Sequence, residues 1–165
     1  MYQWIVFVHI LGIFGFLLAH GAAAAVAFKL RAERDGERIR ALLELSRSVS
    51  MVSSVALLTL LAAGVALGFM GQWWGHGWIW TSLGLFLLMG AAMGVLGSRP
   101  FNRVRGLLQM EPKSSKSSKA APALQGAALE QAVTAVLSAT HPLLLTLLSG
   151  VGLALILWLM MFKPF

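Results

Sequence analysis

Residues 7–28 read FVHILGIFGFLLAHGAAAAVAF, a run of apolar and small residues with no carboxylate, lysine or arginine, yet with two histidines, His9 and His20. At 1.5 Å per residue, a helix of about 20 such residues crosses the hydrocarbon core of a bilayer. Three further windows share this character, so spans are expected over about 3–28, 49–71, 77–97 and 142–162. The whole chain agrees: 58% of its 165 residues are apolar and 12% charged, far from soluble proportions. Ala22–Ala25 would offer cleavage sites to a secretory signal. No basic segment precedes the run, however, and it is about twice the usual apolar length of a signal. It is therefore read as a retained helix. The expected fold is all-α, an integral membrane four-helix up-and-down bundle with cytoplasmic amphipathic segments, in a single domain over 1–165.

The net charge of +7 gains its meaning from where the charges lie. Lys29, Arg31, Arg34, Arg38, Arg40 and Arg47 fall around the first connection, and Arg99, Arg103, Arg105, Lys113, Lys116 and Lys119 around the third. The second connection, GQWWGHG, has no lysine or arginine, and Lys163 alone lies elsewhere. The positive-inside rule then puts both basic connections in the cytoplasm and both termini outside, in a bacterial inner (plasma) membrane. The charge thus answers to lipid, and no nucleic-acid partner is expected. All six tryptophans (Trp4, Trp73, Trp74, Trp78, Trp80, Trp158) fall at the outer interface in this arrangement, where an amphipathic indole is favoured.

Between the spans, Asp35-Gly36 marks a turn. The segment after it carries an apolar stripe, Ile39, Leu42, Leu43 and Leu45, at helical spacing among charges. Such a segment docks a partner, lies on anionic lipid, or extends the second span into the cytosol. The Ser, Lys, Ala and Pro of EPKSSKSSKAAPA read as a flexible linker over about 111–122. Residues 123–139 become helical again, and Pro142 suits the first turn of the last span. Gly64 with Gly68, and Gly90 with Gly94, form GxxxG pairs on spans two and three. With a seven-residue connection between them, these two spans are expected to be neighbours. The same motifs would serve a membrane protein partner or a homo-oligomer.

There is no cysteine, which removes disulfides, Fe–S clusters, thiolate metal sites and covalent c-type haem. All six carboxylates lie outside the spans, so a carboxylate relay through the membrane is not expected. His9 and His20 remain at membrane depth, with His141 at the inner edge and His76 in the outer connection. Eleven residues are about three helical turns, so His9 and His20 share one face roughly 16 Å apart. Gly12, Ile13, Phe16, Ala23, Ala24 and Ala27 share it too. This face suits a flat cofactor; alternatively each imidazole hydrogen-bonds a neighbouring helix. Neutral imidazole is the haem ligand expected without cysteine. By depth, His20 pairs best with His141 on the inner side and His9 with His76 on the outer. Methionine offers a second chemistry, since thioethers suit Cu(I). Met89 and Met93 are one turn apart, and Met1, Met70 and Met160 lie toward the outer side.

The pattern Trp4-x4-His9-Ile-Leu-Gly12, a small-residue stretch and the basic exit Lys29-Leu-Arg31 resembles the first helix of a group of small bacterial membrane proteins. That group includes the copper-resistance D family, HemJ-type protoporphyrinogen oxidases and uncharacterised four-helix relatives. The resemblance covers mainly residues 1–31 and the number of helices. In HemJ-type proteins a histidine in this region ligates haem b, which by position implies His9. The chain departs from the group in carrying His20-Gly21 deeper in the helix. The expected function is a haem b-binding membrane redox protein or small subunit of an electron-transfer complex, with ligands among His9, His20, His141 and His76. The alternative is a copper-handling or cofactor-free transport or assembly partner. The topology is checked by cysteine labelling. A cysteine at Gly75 is expected to react with a membrane-impermeant reagent on intact cells, and one at Ser115 to be protected; the reverse pattern inverts the protein.

Overall fold

The structure, a computed structural model, describes residues 1–110 and 126–164. The expected linker over 111–122 lies outside the described residues, as do 123–125. Among the described residues there are five α-helices and no strand: α1 (Tyr2–Ala32), α2 (Gly36–Met70), α3 (Gly77–Leu107), α4 (Ala127–Ser138) and α5 (Pro142–Phe162). A single 3₁₀ turn, Trp73–Gly75, joins α2 to α3. Four stretches are long and apolar enough to cross a membrane: α1, α2, α3 and the α4–α5 region. This is the architecture of a multi-pass membrane protein.

Three boundaries differ from the sequence reading. Of the readings open for the stripe around Ile39, the structure has the extension of the second span: it forms the first turns of α2, which starts at Gly36 instead of 49 and runs unbroken for 35 residues. Its start is fixed locally. Glu33 is extended, its Oε1 accepts the N–H groups of Arg34 (3.0 Å) and Asp35 (3.2 Å), and Asp35 caps α2 by accepting Glu37 N–H at 3.0 Å. The two N–H bonds hold the Glu33 carboxyl below the usual carboxylate range. α3 likewise continues ten residues beyond the expected end at 97, through Pro100. A proline there costs a backbone hydrogen bond, but Val104 and Leu108 beyond it are buried, which is reason enough for the helix to persist. α1 also runs to Ala32, four residues further than expected. Pro142 opens α5 at its first turn, as expected.

The interior divides into two halves. At the end carrying the basic connections, Val26, Leu30, Ile39, Leu43, Val104, Leu108, Val133 and Leu137 form one closed cluster drawn from α1, α2, α3 and α4. The stripe of α2 is therefore used internally: Ile39 and Leu43 are buried, Leu42 packs against the cluster, and Leu45 stays exposed. Arg105 of α3 ties the same end together, donating to the Leu43 carbonyl at 3.0 Å and to Ser46 Oγ at 2.6 Å.

At the tryptophan end the helices associate as two antiparallel pairs, α1 with α2 and α3 with α5. On α1 the buried positions Gly12, Ala19 and Val26 recur every seven residues, the repeat of a left-handed crossing. A Cβ at Gly12 would stand 3.1 Å from the Leu60 backbone nitrogen, so this glycine sets how closely α1 and α2 approach. Spans two and three, expected to be neighbours through their short connection, do touch, but not through their GxxxG motifs. Gly64 receives the His9 ring, Gly68 receives Trp74 and Ile79, and no described atom lies within 4 Å of a Cβ built at Gly90 or Gly94. The indole wedged at the connection keeps α2 and α3 apart, and they touch only sparsely.

Truncating the closed cluster is expected to cost about 2–5 kcal/mol in Leu43→Ala. Leu88→Ala, 65% exposed on α3, is expected to change stability by no more than about 0.5 kcal/mol. Unfolding by SDS titration from mixed micelles measures both.

Candidate functional site

The gap between the two helix pairs is a cavity of about 490 Å³ in the tryptophan half, walled by α1, α2, α3 and α5. Its volume lies within the range of small-molecule and cofactor sites, about 300–1,000 Å³. Its walls are nearly all apolar or aromatic, among them Val6, Phe16, Leu60, Trp78 and Phe86, with His9 in the wall and Lys163 at the edge.

Two polar side chains lie at depth in this wall: Ser82, whose hydroxyl is spent on the Trp78 carbonyl at 2.8 Å, and His9, whose surroundings fix its chemistry. Nδ1 lies 3.1 Å from the Leu60 carbonyl oxygen. A carbonyl only accepts, so Nδ1 carries the proton and donates it, and Nε2 keeps its lone pair. No second hydrogen bond engages the ring. Gly64 makes the seat: a Cβ there would come within 3.1 Å of His9 Cε1. A ring nitrogen donated to a backbone carbonyl, with the other nitrogen left basic, is the arrangement that orients metal-ligating histidines.

His20 has a different neighbourhood. Its Nε2 lies 2.7 Å from Ser149 Oγ on α5, and that hydroxyl donates in turn to the Thr146 carbonyl at 2.9 Å. The serine proton being spent on Thr146, His20 Nε2–H donates to Ser149. Phe16 stacks on the imidazole with ring centroids 5.7 Å apart and planes 19° from parallel. The shared face of α1 therefore splits its histidines between two partners, His9 to α2 and His20 to α5. Gly12 on that face serves the close approach to Leu60.

No two histidines converge. His141 is the exposed residue before α5, eight positions from Ser149, hence about 12 Å along the axis from the level of His20. His76 is exposed beyond the 3₁₀ turn, capping α3 with its backbone, whereas His9 sits at the level of Leu60 and Gly64, well inside α2. Among the described residues no group of three or more His, Cys, Asp or Glu could hold a metal ion. Met89 packs on α5, its Sδ against Gly152, while Met160 lines the cavity.

Sequence reasoning found His9 but missed the cavity's mouth. The indoles of Trp73 and Trp78 pack there tilted by 55° with centroids 5.6 Å apart, and Lys163 Nζ lies 4.2 Å from the centroid of Trp73 and 5.5 Å from that of Trp78. Trp74 contributes another wall, its buried Nε1–H without an acceptor. The available signal was the solitary lysine at the tryptophan-rich end. No family model, curated protein or solved structure matches the chain.

The His20–Ser149 bond is expected to act as a tie between α1 and α5. A double-mutant cycle of His20→Ala and Ser149→Ala should give a coupling of about 0.6 kcal/mol and no more than about 1.7 kcal/mol, read from SDS-titration unfolding. A coupling of zero would leave the pair without a stabilising role.

Proposed function

We propose that the protein is a haem b-binding membrane redox protein, acting alone or as a small subunit of an electron-transfer complex, in which His9 would hold the iron. The observation that carries the reading is the His9 imidazole: it lines a cofactor-sized apolar cavity, its Nδ1–H is held by the Leu60 carbonyl, and its Nε2 lone pair makes no hydrogen bond. The donor set fits haem b, which needs imidazole nitrogen, an apolar enclosure and no covalent cysteine anchor. The resemblance of residues 1–31 to HemJ-type proteins points to the same histidine.

When bound, haem supplies one-electron chemistry at iron. The chain's own residues do the rest. Leu60 fixes the tautomer and raises the basicity of Nε2 through its hydrogen bond. Gly64 leaves room for the ring, and the apolar wall excludes water, which tunes potential through local dielectric. His20, engaged with Ser149, holds α5 against α1 and so shapes the cavity without ligating. With the basic connections in the cytoplasm, the cavity would lie in the outer half of an inner membrane.

Protein produced with haem available should show a Soret band and bind iron. His9→Ala is expected to abolish that band, while His20→Ala, His76→Ala and His141→Ala keep it. Gly64→Leu should shift or weaken it by displacing the ring. Absence of both Soret absorbance and iron in the wild type overturns the proposal, and stoichiometric copper would favour the copper-handling alternative.

A further inference from the structure

Lys163 is the lysine or arginine that does not belong to the basic end. The described acidic side chains, Glu33, Asp35, Glu37, Glu44 and Glu130, lie toward the opposite end of the bundle, and among the described residues none pairs with Lys163. Arg38 pairs with Asp35 at the other end. The lysine is nonetheless placed with care. It is the residue after α5, in a left-handed conformation at φ 45°, and its N–H closes onto the Leu159 carbonyl at 3.0 Å. A non-glycine residue in that region is uncommon, and here it turns the side chain back over Trp73 and Trp78. The two indole faces hold the ammonium through cation–π attraction at the rim of the cavity that His9 lines.

A cation held over two indoles at the edge of an apolar cavity, without a carboxylate partner among the described residues, defines the ligand's other end. We infer that Lys163 is the acid anchor of the cavity: it pairs with a carboxylate carried on the apolar body that fills the space beneath it. The inference rests on the haem reading for the use of the cavity. It adds that the bound molecule is an acid and that its acidic edge points to the tryptophan end. For haem b the acid is a propionate. For a lipid-derived occupant it is a fatty-acid carboxylate, and the chemistry at Nζ is the same. His9 at depth and Lys163 at the rim would together impose one orientation on an asymmetric ligand.

The test uses the full chain in zwitterionic nanodiscs, as wild type, Lys163→Gln and Lys163→Arg. Each is titrated with haemin and with haemin dimethyl ester, followed by Soret absorbance. The wild type is expected to bind the free acid about tenfold more tightly than the diester, the size of one charge-assisted hydrogen bond. Lys163→Gln should erase that preference while leaving the diester affinity unchanged, and Lys163→Arg should retain it. Equal wild-type affinity for acid and diester, or an equal loss for both in Lys163→Gln, overturns the anchor while the haem reading stands. If neither compound gives a Soret band with the wild type, the haem reading fails instead. The anchor is then decided by a brominated fatty acid and its methyl ester, read as quenching of tryptophan fluorescence. Preference for the free acid that vanishes in Lys163→Gln upholds it, and the lack of any preference overturns it.

Discussion

Apolar burial drives helices together only where water is the competing solvent; within lipid, a leucine gains little by leaving acyl chains for another leucine. The interior of this protein is laid out along that boundary. The largest fully buried side chains, Leu30, Leu43, Val104 and Leu137, all lie at the basic end, where the long helices outrun the roughly 20 residues a bilayer requires. Toward the tryptophan end the contacts change character, to glycine against backbone at Gly12 and Leu60 and to single hydrogen bonds from His9 and His20. A closed core at one end lets the other remain partly open. The cavity is the outcome of that division, and the polar groups at its wall and rim are the ones a ligand would meet.

The same division separates what was legible in the sequence from what was not. The number of membrane-length helices was readable because each carries an unbroken apolar run, and α5 begins at Pro142 as expected. The spans were bounded short at the basic end because hydropathy falls there while the helix does not. Ile39 and Leu43, or Val104 and Leu108, form stripes among arginines whose partners lie on other helices, and pairing between distant stripes is invisible to a single window. The GxxxG motifs misled for a related reason. Chain connectivity made α2 and α3 the natural pair, yet Trp74 occupies Gly68 and His9 occupies Gly64, and the glycines serve rings instead of a helix.

The histidines show how far a face can be trusted. Helical spacing placed His9 and His20 on one side of α1, but side chains on one side of a helix can still meet two neighbours, and these reach α2 and α5. The distinction between them lies in their partners. A carbonyl leaves the far nitrogen of His9 basic, whereas the Ser149 hydroxyl, itself committed to Thr146, makes His20 part of the scaffold. No spacing rule carries that information. The mouth was still less visible, because Lys163, Trp73 and Trp78 are joined only by the return of α5 to the start of α3.

Only residues 33–35 separate α1 from α2, and the contacts between these helices keep one register along their length: Gly15 meets Ala56, Gly12 meets Leu60 and His9 meets Gly64. Such a pair can close like a zipper from its turn outward, each new contact shortening the loop for the next. α5, by contrast, reaches α3 only after the long intervening stretch that ends in α4. During synthesis the first hairpin would therefore be complete, with His9 already seated on Gly64, before the last helix arrives. The imidazole in the cavity wall is in place early, and the chamber around it is closed by a helix synthesised well after it.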